Sequence, residues 1–277
     1  MKLKCAVCNE MFGTIGFEDS CAMLARYGFQ GIEIAPFTIA ADPMEIDAAT
    51  ISHLKSTISD NGLEFAGLHW LLAAPAGLHI TTADDNLRSK SWDFMRRLVD
   101  LCGELGGGVL VLGSPAQRST ASLPAEDALE HLADGLTRLA VFAEQRNSAI
   151  LIEALASSDT NIINTIADAN ALIQRIAKPG VGGMFDFHNC GDETLHWDEL
   201  IEKYFDIIEH IHLNDTNGSY PGTGESDFLP AFQKILARGY SRWISLEIFH
   251  IPENPAAVLA ATIRFIESME EQSGSTE

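Results

Sequence analysis

Cysteine is scarce and unpatterned in this chain: five residues, at positions 5, 8, 21, 102 and 190, without the spacing of a secreted disulfide framework. Reduced thiols in a cytoplasm fit that usage. Cys5 and Cys8 form a lone C-x-x-C within an apolar, strand-like stretch, where residues three apart face opposite sides. Buried thiols are therefore expected there, not a redox pair or a zinc site. Basic charge is also lacking. The 18 Lys and Arg stand against 39 Asp and Glu, a formal net charge of −21, which repels a nucleic-acid backbone over most of the surface. That counts against DNA or RNA as a partner. No apolar run reaches the roughly 18 residues that would mark a membrane span, and the opening MKLKCAVC is too short for a signal peptide. No G-x-G-x-x-G follows the first apolar run, and no G-x-x-x-x-G-K-[ST] occurs. Dinucleotide-binding and P-loop readings lose their main support.

What the chain does have is a large apolar fraction, 46% of 277 residues, in a repeating order. Short apolar runs read as strands at 4–10, 31–36, 65–71, 108–115, 149–155, 182–189, 209–215 and 243–249. Between them apolar residues recur at helical intervals, over 17–29, 44–62, 86–107, 126–147, 165–176, 195–204, 229–240 and 254–270. Glycines at 28, 62 and 239 sit where helices need a left-handed C-cap. Eight strand–helix units imply a parallel sheet with right-handed crossovers, and at this length a (β/α)₈ TIM barrel fits better than an open doubly wound sheet. A single domain over 1–277 is expected, with a polar tail at about 272–277.

In such a barrel, chemistry sits at the C-terminal ends of the strands. The stretch GMFDFHNC, 183–190, places Asp186 in an apolar strand, a costly position unless the carboxylate is paired, hydrogen-bonded or bound to a metal. The first strand ends in Asn9 and Glu10 and the third in His69 and Trp70. The fourth ends in Ser114, with Arg118 just beyond. The fifth carries Glu153, the sixth Asp186 and His188, the seventh His212 with Asn214 and Asp215, and the eighth Glu247. Alone, a strand glutamate suits a structural ion pair and a strand histidine a satisfied core group. Three carboxylates and an imidazole on four consecutive strands instead make a hard donor set. It favours Mn²⁺ foremost, with Mg²⁺, Co²⁺ or Zn²⁺ as alternatives.

LIEAL, MFDFHN, HIHLNDTNGSYPGTGESDF and ISLEIF resemble the second half of the xylose isomerase-like barrel superfamily, which includes the D-tagatose 3-epimerases and hydroxypyruvate isomerases. The resemblance implies a divalent metal held by Glu153, Asp186, His212 and Glu247. It also implies a small carbohydrate substrate. Glu153 and Glu247 would then be the catalytic pair, one removing a proton next to a carbonyl and the other returning it. The outcome would be epimerisation or isomerisation through an enediolate, or, where a leaving group lies β to the acidic carbon, a lyase reaction. His188, His69, Trp70 and Arg118 are the expected substrate-binding residues. Two positions depart from the epimerase pattern. The sixth strand reads Asp-x-His with Asn189 in the third place, in contrast to the family's Asp-x-x-His, and Gly218 occupies the position of a substrate-binding arginine. Apurinic endonucleases share the superfamily but need more histidines and a basic groove, and a silent sugar-binding barrel is the non-enzymatic rival. No surface feature marks an interface, so a homo-oligomer is left open.

Overall fold

Strands buried on both faces, each followed by an amphipathic helix, can satisfy all their backbone groups by closing on themselves. The computed structural model, which describes residues 2–274, closes in that way. The strands are β1 Lys4–Cys8, β2 Gly31–Ile34, β3 Glu64–Leu68, β4 Val109–Leu112, β5 Ala149–Ile152, β6 Val181–Asp186, β7 Ile208–Leu213 and β8 Trp243–Leu246. They pair in chain order, all parallel, and β8 pairs with β1 to complete the barrel. The helices are α1 Phe17–Tyr27, α2 Ala48–Asp60, α3 Asp85–Leu105, α4 Ala125–Glu144, α5 Ile166–Ile176, α6 Trp197–Tyr204, α7 Leu229–Ala237 and α8 Pro255–Gly274.

Alternation along each strand decides where the site lies. Ile150 and Ile152 join the large core shared with the helices, whereas Leu151 packs with Val111 and Met184 in a separate small cluster. That cluster is the barrel interior. Continuing with a period of two, Leu151 leads to Glu153, Met184 to Asp186 and then His188, and Ser245 to Glu247. The polar residues at the strand ends thus cap a short plug of apolar side chains. The register places Asp186 beside His212, and His212 beside Ser245.

The ladder is shorter than the apolar runs. The fifth run reads as strand over 149–155, but ladder pairing ends at Ile152, and the eighth ends at Leu246. Glu153 and Glu247 follow directly, their N–H groups still donating to Leu112 O and Leu213 O of the neighbouring strands at 3.3 Å. The second helix begins later than its apolar period implies, because Asp47 caps it: its Oδ1 accepts from Thr50 N at 2.8 Å. Helix α8 runs on through 272–274, so the expected polar tail is helical there. Its last three positions, 275–277, lie outside the described residues. The glycine caps are where the pattern puts them, with φ of 87° at Gly28 and 69° at both Gly62 and Gly239. Both Cys5 and Cys8 are buried thiols.

Candidate metal centre

Four side chains converge at the C-terminal mouth of the barrel. Ligand atoms of Glu153, Asp186, His212 and Glu247 all lie within 4.8 Å of one another, and all four residues are buried. His212 Nδ1 stands 3.0 Å from Glu247 Oε2, 3.6 Å from Asp186 Oδ2 and 4.0 Å from Glu153 Oε1. A cation about 2.1 Å from each ligand would place neighbouring ligands about 3 Å apart and opposite ones about 4.2 Å apart. The observed spacing falls in that span. His212 Nδ1 and Glu247 Oε2 are buried and face each other at 3.0 Å, but neither makes a well-formed hydrogen bond, a costly state for two polar atoms unless something binds them. The residues therefore fit a hard divalent ion.

The surrounding groups hold these ligands in place. Glu33, on β2 and fully buried, accepts from both His210 Nε2 at 2.7 Å and His212 Nε2 at 3.1 Å. With Nε2 engaged, the Nδ1 of His212 is the atom turned to the other three ligands. Asp186 Oδ1 accepts from the backbone N–H of His188 at 2.7 Å and of Asn189 at 3.2 Å. Asn189 Nδ2 donates to Glu153 Oε1 at 3.0 Å, and Trp70 Nε1 donates to Glu247 Oε1 at 3.0 Å. Each glutamate is thereby pinned through one oxygen. Gly113 leaves room for the other oxygen of Glu153, since a Cβ there would lie 2.2 Å from Oε2.

Charge in the site is tightly interlocked. Burial, and then the charges of Asp186 and Glu247, push the Glu153 carboxyl well above its ordinary pKa. Burial opposes a charged His212, but Glu247 and Glu33 outweigh it and hold that imidazole well above the usual histidine value. Burial would likewise raise Asp186 and Glu33. For Asp186, the adjacent His212 and the His188 N–H reverse the sign, and for Glu33 the two histidines do so. Cys8 also approaches Glu33 and His212, and separately Glu10 and His69, but burial pushes its thiol far up, so it offers a poor ligand.

The cavity above the four ligands is lined by His69, Trp70, Ser114, Asp159, His188, Asn189 and Phe249, among others. Three of the four expected substrate-binding residues, His188, His69 and Trp70, thus stand in its wall. His69 also bonds through Nε2 to Glu10 Oε2 at 2.6 Å, and its Nδ1 is 3.7 Å from Glu33 Oε1. Arg118 is brought elsewhere: it is fully buried in the loop after β4 and is not in the cavity wall among the described residues. Burial lowers its pKa to about 10, with the charge of Glu153 acting in the opposite direction. Asp215 is a loop organiser, accepting from Gly222 N, Gly224 N and Ser226 Oγ at 3.0, 2.9 and 2.8 Å.

Sequence reasoning missed Glu33, His210 and Asp159. Glu33 carried the same signal as Asp186, a carboxylate inside an apolar strand (GIEIAP). Its register opposite β7, on the far side of the barrel, is not readable from a one-dimensional pattern.

A closed eight-stranded parallel barrel with a buried carboxylate–histidine cluster at its C-terminal mouth defines a (β/α)₈ TIM barrel with a candidate metal site. The sequence matches the xylose isomerase-like TIM barrel family over residues 21–269, and the chain belongs to that family. It is 25% identical to the L-ribulose 3-epimerase of Methylomonas sp. (strain DH-1), an alignment covering 84% of this chain and 79% of the relative. It is 23% identical to the 3-dehydro-D-guloside 4-epimerase of Escherichia coli (strain K12), over 92% and 95% of the two chains. The solved structure of an L-ribulose 3-epimerase superposes with a TM-score of 0.85 at 20% identity, covering 98% of this chain and 96% of that one.

Proposed function

We propose that this protein is a divalent-metal-dependent sugar epimerase or isomerase, acting by proton transfer at the carbon beside a carbonyl. The observation that carries the reading is the convergence of Glu153, Asp186, His212 and Glu247, with His212 Nδ1 and Glu247 Oε2 buried 3.0 Å apart and without a well-formed hydrogen bond. Those residues would hold the ion, Mn²⁺ foremost. When bound, it supplies positive charge against the negative charge that builds on a substrate carbonyl and its neighbouring hydroxyl. The relatives named as sugar epimerases support a carbohydrate substrate, and five free thiols suit a cytoplasmic setting.

The chain's own residues divide the remaining work. Glu153 and Glu247 project from β5 and β8, three strands apart, and approach the cavity from different sides. One removes the C–H proton and the other returns it, to the opposite face for epimerisation or to the adjacent carbon for isomerisation. Asn189 and Trp70 hold one oxygen of each glutamate, so that neither carboxylate can swing out of reach of the substrate carbon. His188 and Asn189 offer hydrogen bonds to hydroxyls, and Leu155, Pro115 and Val111 give the cavity apolar walls.

Solvent exchange tests the proposal. Mn²⁺-loaded protein is incubated in D₂O with a panel of ketoses and 3-keto sugars. Deuterium should enter next to the carbonyl of at least one of them and should not enter when Glu153→Gln replaces the wild type. Absence of label throughout the panel contradicts the reading.

A further inference from the structure

Besides the four converging side chains, the described residues hold two further groupings of metal-ligating type, and both contain Cys8. One joins it to Glu33 and His212, the other to Glu10 and His69. The first cannot be filled beside an ion at the barrel mouth. It takes His212 from the four ligands, and its Glu33 is already engaged by two histidines. The second shares no residue with the four.

The ends of β1 and β3 build this second grouping. Cys5 and Val7 pack into the core shared with the helices, so Cys8, the last residue of β1, points into the barrel. Glu10 comes two residues later, in a turn of 3₁₀ helix over Asn9–Phe12, and His69 directly follows β3. One ligand atom from each of the three lies within 4.8 Å of the others. A tetrahedral ion about 2.0–2.3 Å from each ligand spaces them about 3.3–3.8 Å apart, inside that bound. Cys8 is fully buried, His69 is 1% exposed and the Glu10 side chain 15%. His69 Nε2 and Glu10 Oε2 meet at 2.6 Å, but Glu10 Oε1 and His69 Nδ1 are buried without a hydrogen-bond partner. Such atoms are costly unless something binds them.

Charge and softness select the occupant. Burial, and then the charge of Glu33, hold Cys8 as a protonated thiol, which makes it a poor ligand for a hard ion. A thiophilic ion takes the sulfur by displacing that proton. A doubly charged ion with one thiolate, one carboxylate and one neutral imidazole is electrically neutral, the balance that a buried site requires.

We infer that Cys8, Glu10 and His69 form a second metal site, inside the barrel and beside the four-ligand centre, for a thiophilic divalent ion of the Zn²⁺ class. The two sites divide ions by softness, Mn²⁺ going to the carboxylate-rich centre and the softer ion to the thiol. Three protein ligands leave a fourth position for water or a small ligand, and His69 also stands in the wall of the cavity.

Co²⁺ tests the inference, because it enters both kinds of site and only thiolate ligation gives it an intense near-ultraviolet charge-transfer band. Metal-stripped protein should take up two Co²⁺ per chain and develop that band, whereas it should take up one Mn²⁺. Cys8→Ser should lose the band and one Co²⁺ but still bind one Mn²⁺, which shows that the variant is folded. Glu10→Gln should weaken the Co²⁺ responsible for the band by about tenfold or more. A wild type without the band, a band that survives Cys8→Ser, or a band unchanged in Glu10→Gln overturns the inference. So does a total that never exceeds one Co²⁺ in protein that binds Mn²⁺, which would place the thiolate with Glu33 and His212. Absence of Mn²⁺ binding, by contrast, removes the reading of the four-ligand centre and leaves the charge-transfer band to decide this one.

Discussion

Glu153 and Glu247 look alike in sequence, yet their surroundings differ. Asn189 holds one and an indole N–H holds the other, and burial with the two neighbouring carboxylates raises Glu153 well above its ordinary pKa. Glu153→Gln removes a proton carrier while keeping shape, and deuterium exchange should fall by about 10²- to 10⁴-fold. Glu33 acts at one remove. Glu33→Gln should weaken Mn²⁺ binding by about 10- to 100-fold, read by titration calorimetry, with the far-ultraviolet circular dichroism unchanged. Unaltered affinity would show that the Glu33–His212 contact does not orient the ligand. The metal-free site also predicts its pH response. Glu153 and His212 both hold their protons above their ordinary values, and a metal must displace those protons. Affinity should therefore still be rising with pH above 6.5, the ordinary histidine value, with protons released on binding. Titrations in buffers of different ionisation enthalpy count those protons. A pH-independent affinity without proton release would contradict this account.

At the scale of elements, the strand–helix order was legible because each element repeats a period, two for strands and 3.6 for helices. The residues of the converging cluster were legible because a carboxylate in an apolar strand is conspicuous. The partners of those residues were not. Glu33 reaches His212 across the barrel, Trp70 reaches Glu247 from β3 to β8, and the burial of Arg118 depends on how the loops after β3, β4 and β5 fold together. Each of these depends on closure of the sheet, which no local window contains. Element packing has its own test. Gly135 on α4 admits the indole of Trp92 from α3, since a Cβ there would lie 2.0 Å from the ring. Trp92 Nε1 in turn donates to Ile80 O at 3.0 Å and anchors the loop that carries Trp70. Gly135→Ala should destabilise the protein by about 1–3 kcal/mol through overpacking, seen as a lowered midpoint in urea. A midpoint equal to wild type would mean that Trp92 repacks freely.

Across the whole molecule, a charge of −21 surrounds a site that itself gathers carboxylates. Such a field draws divalent cations inward and keeps polyanions out. An abasic duplex oligonucleotide should remain uncut under conditions that support deuterium exchange. No helix among the described residues is long and apolar enough to cross a membrane. The functional claim thus reduces to one centre at one end of one barrel.

Counting bound Mn²⁺ tests that claim most directly. Metal-stripped protein is equilibrated with Mn²⁺ and the bound ion is measured by electron paramagnetic resonance, for wild type and for Asp186→Asn with His212→Gln. The account predicts one tightly held ion per chain in the wild type and none in the double variant, both remaining folded. A wild type that binds no ion, or a double variant that binds it equally well, would contradict it.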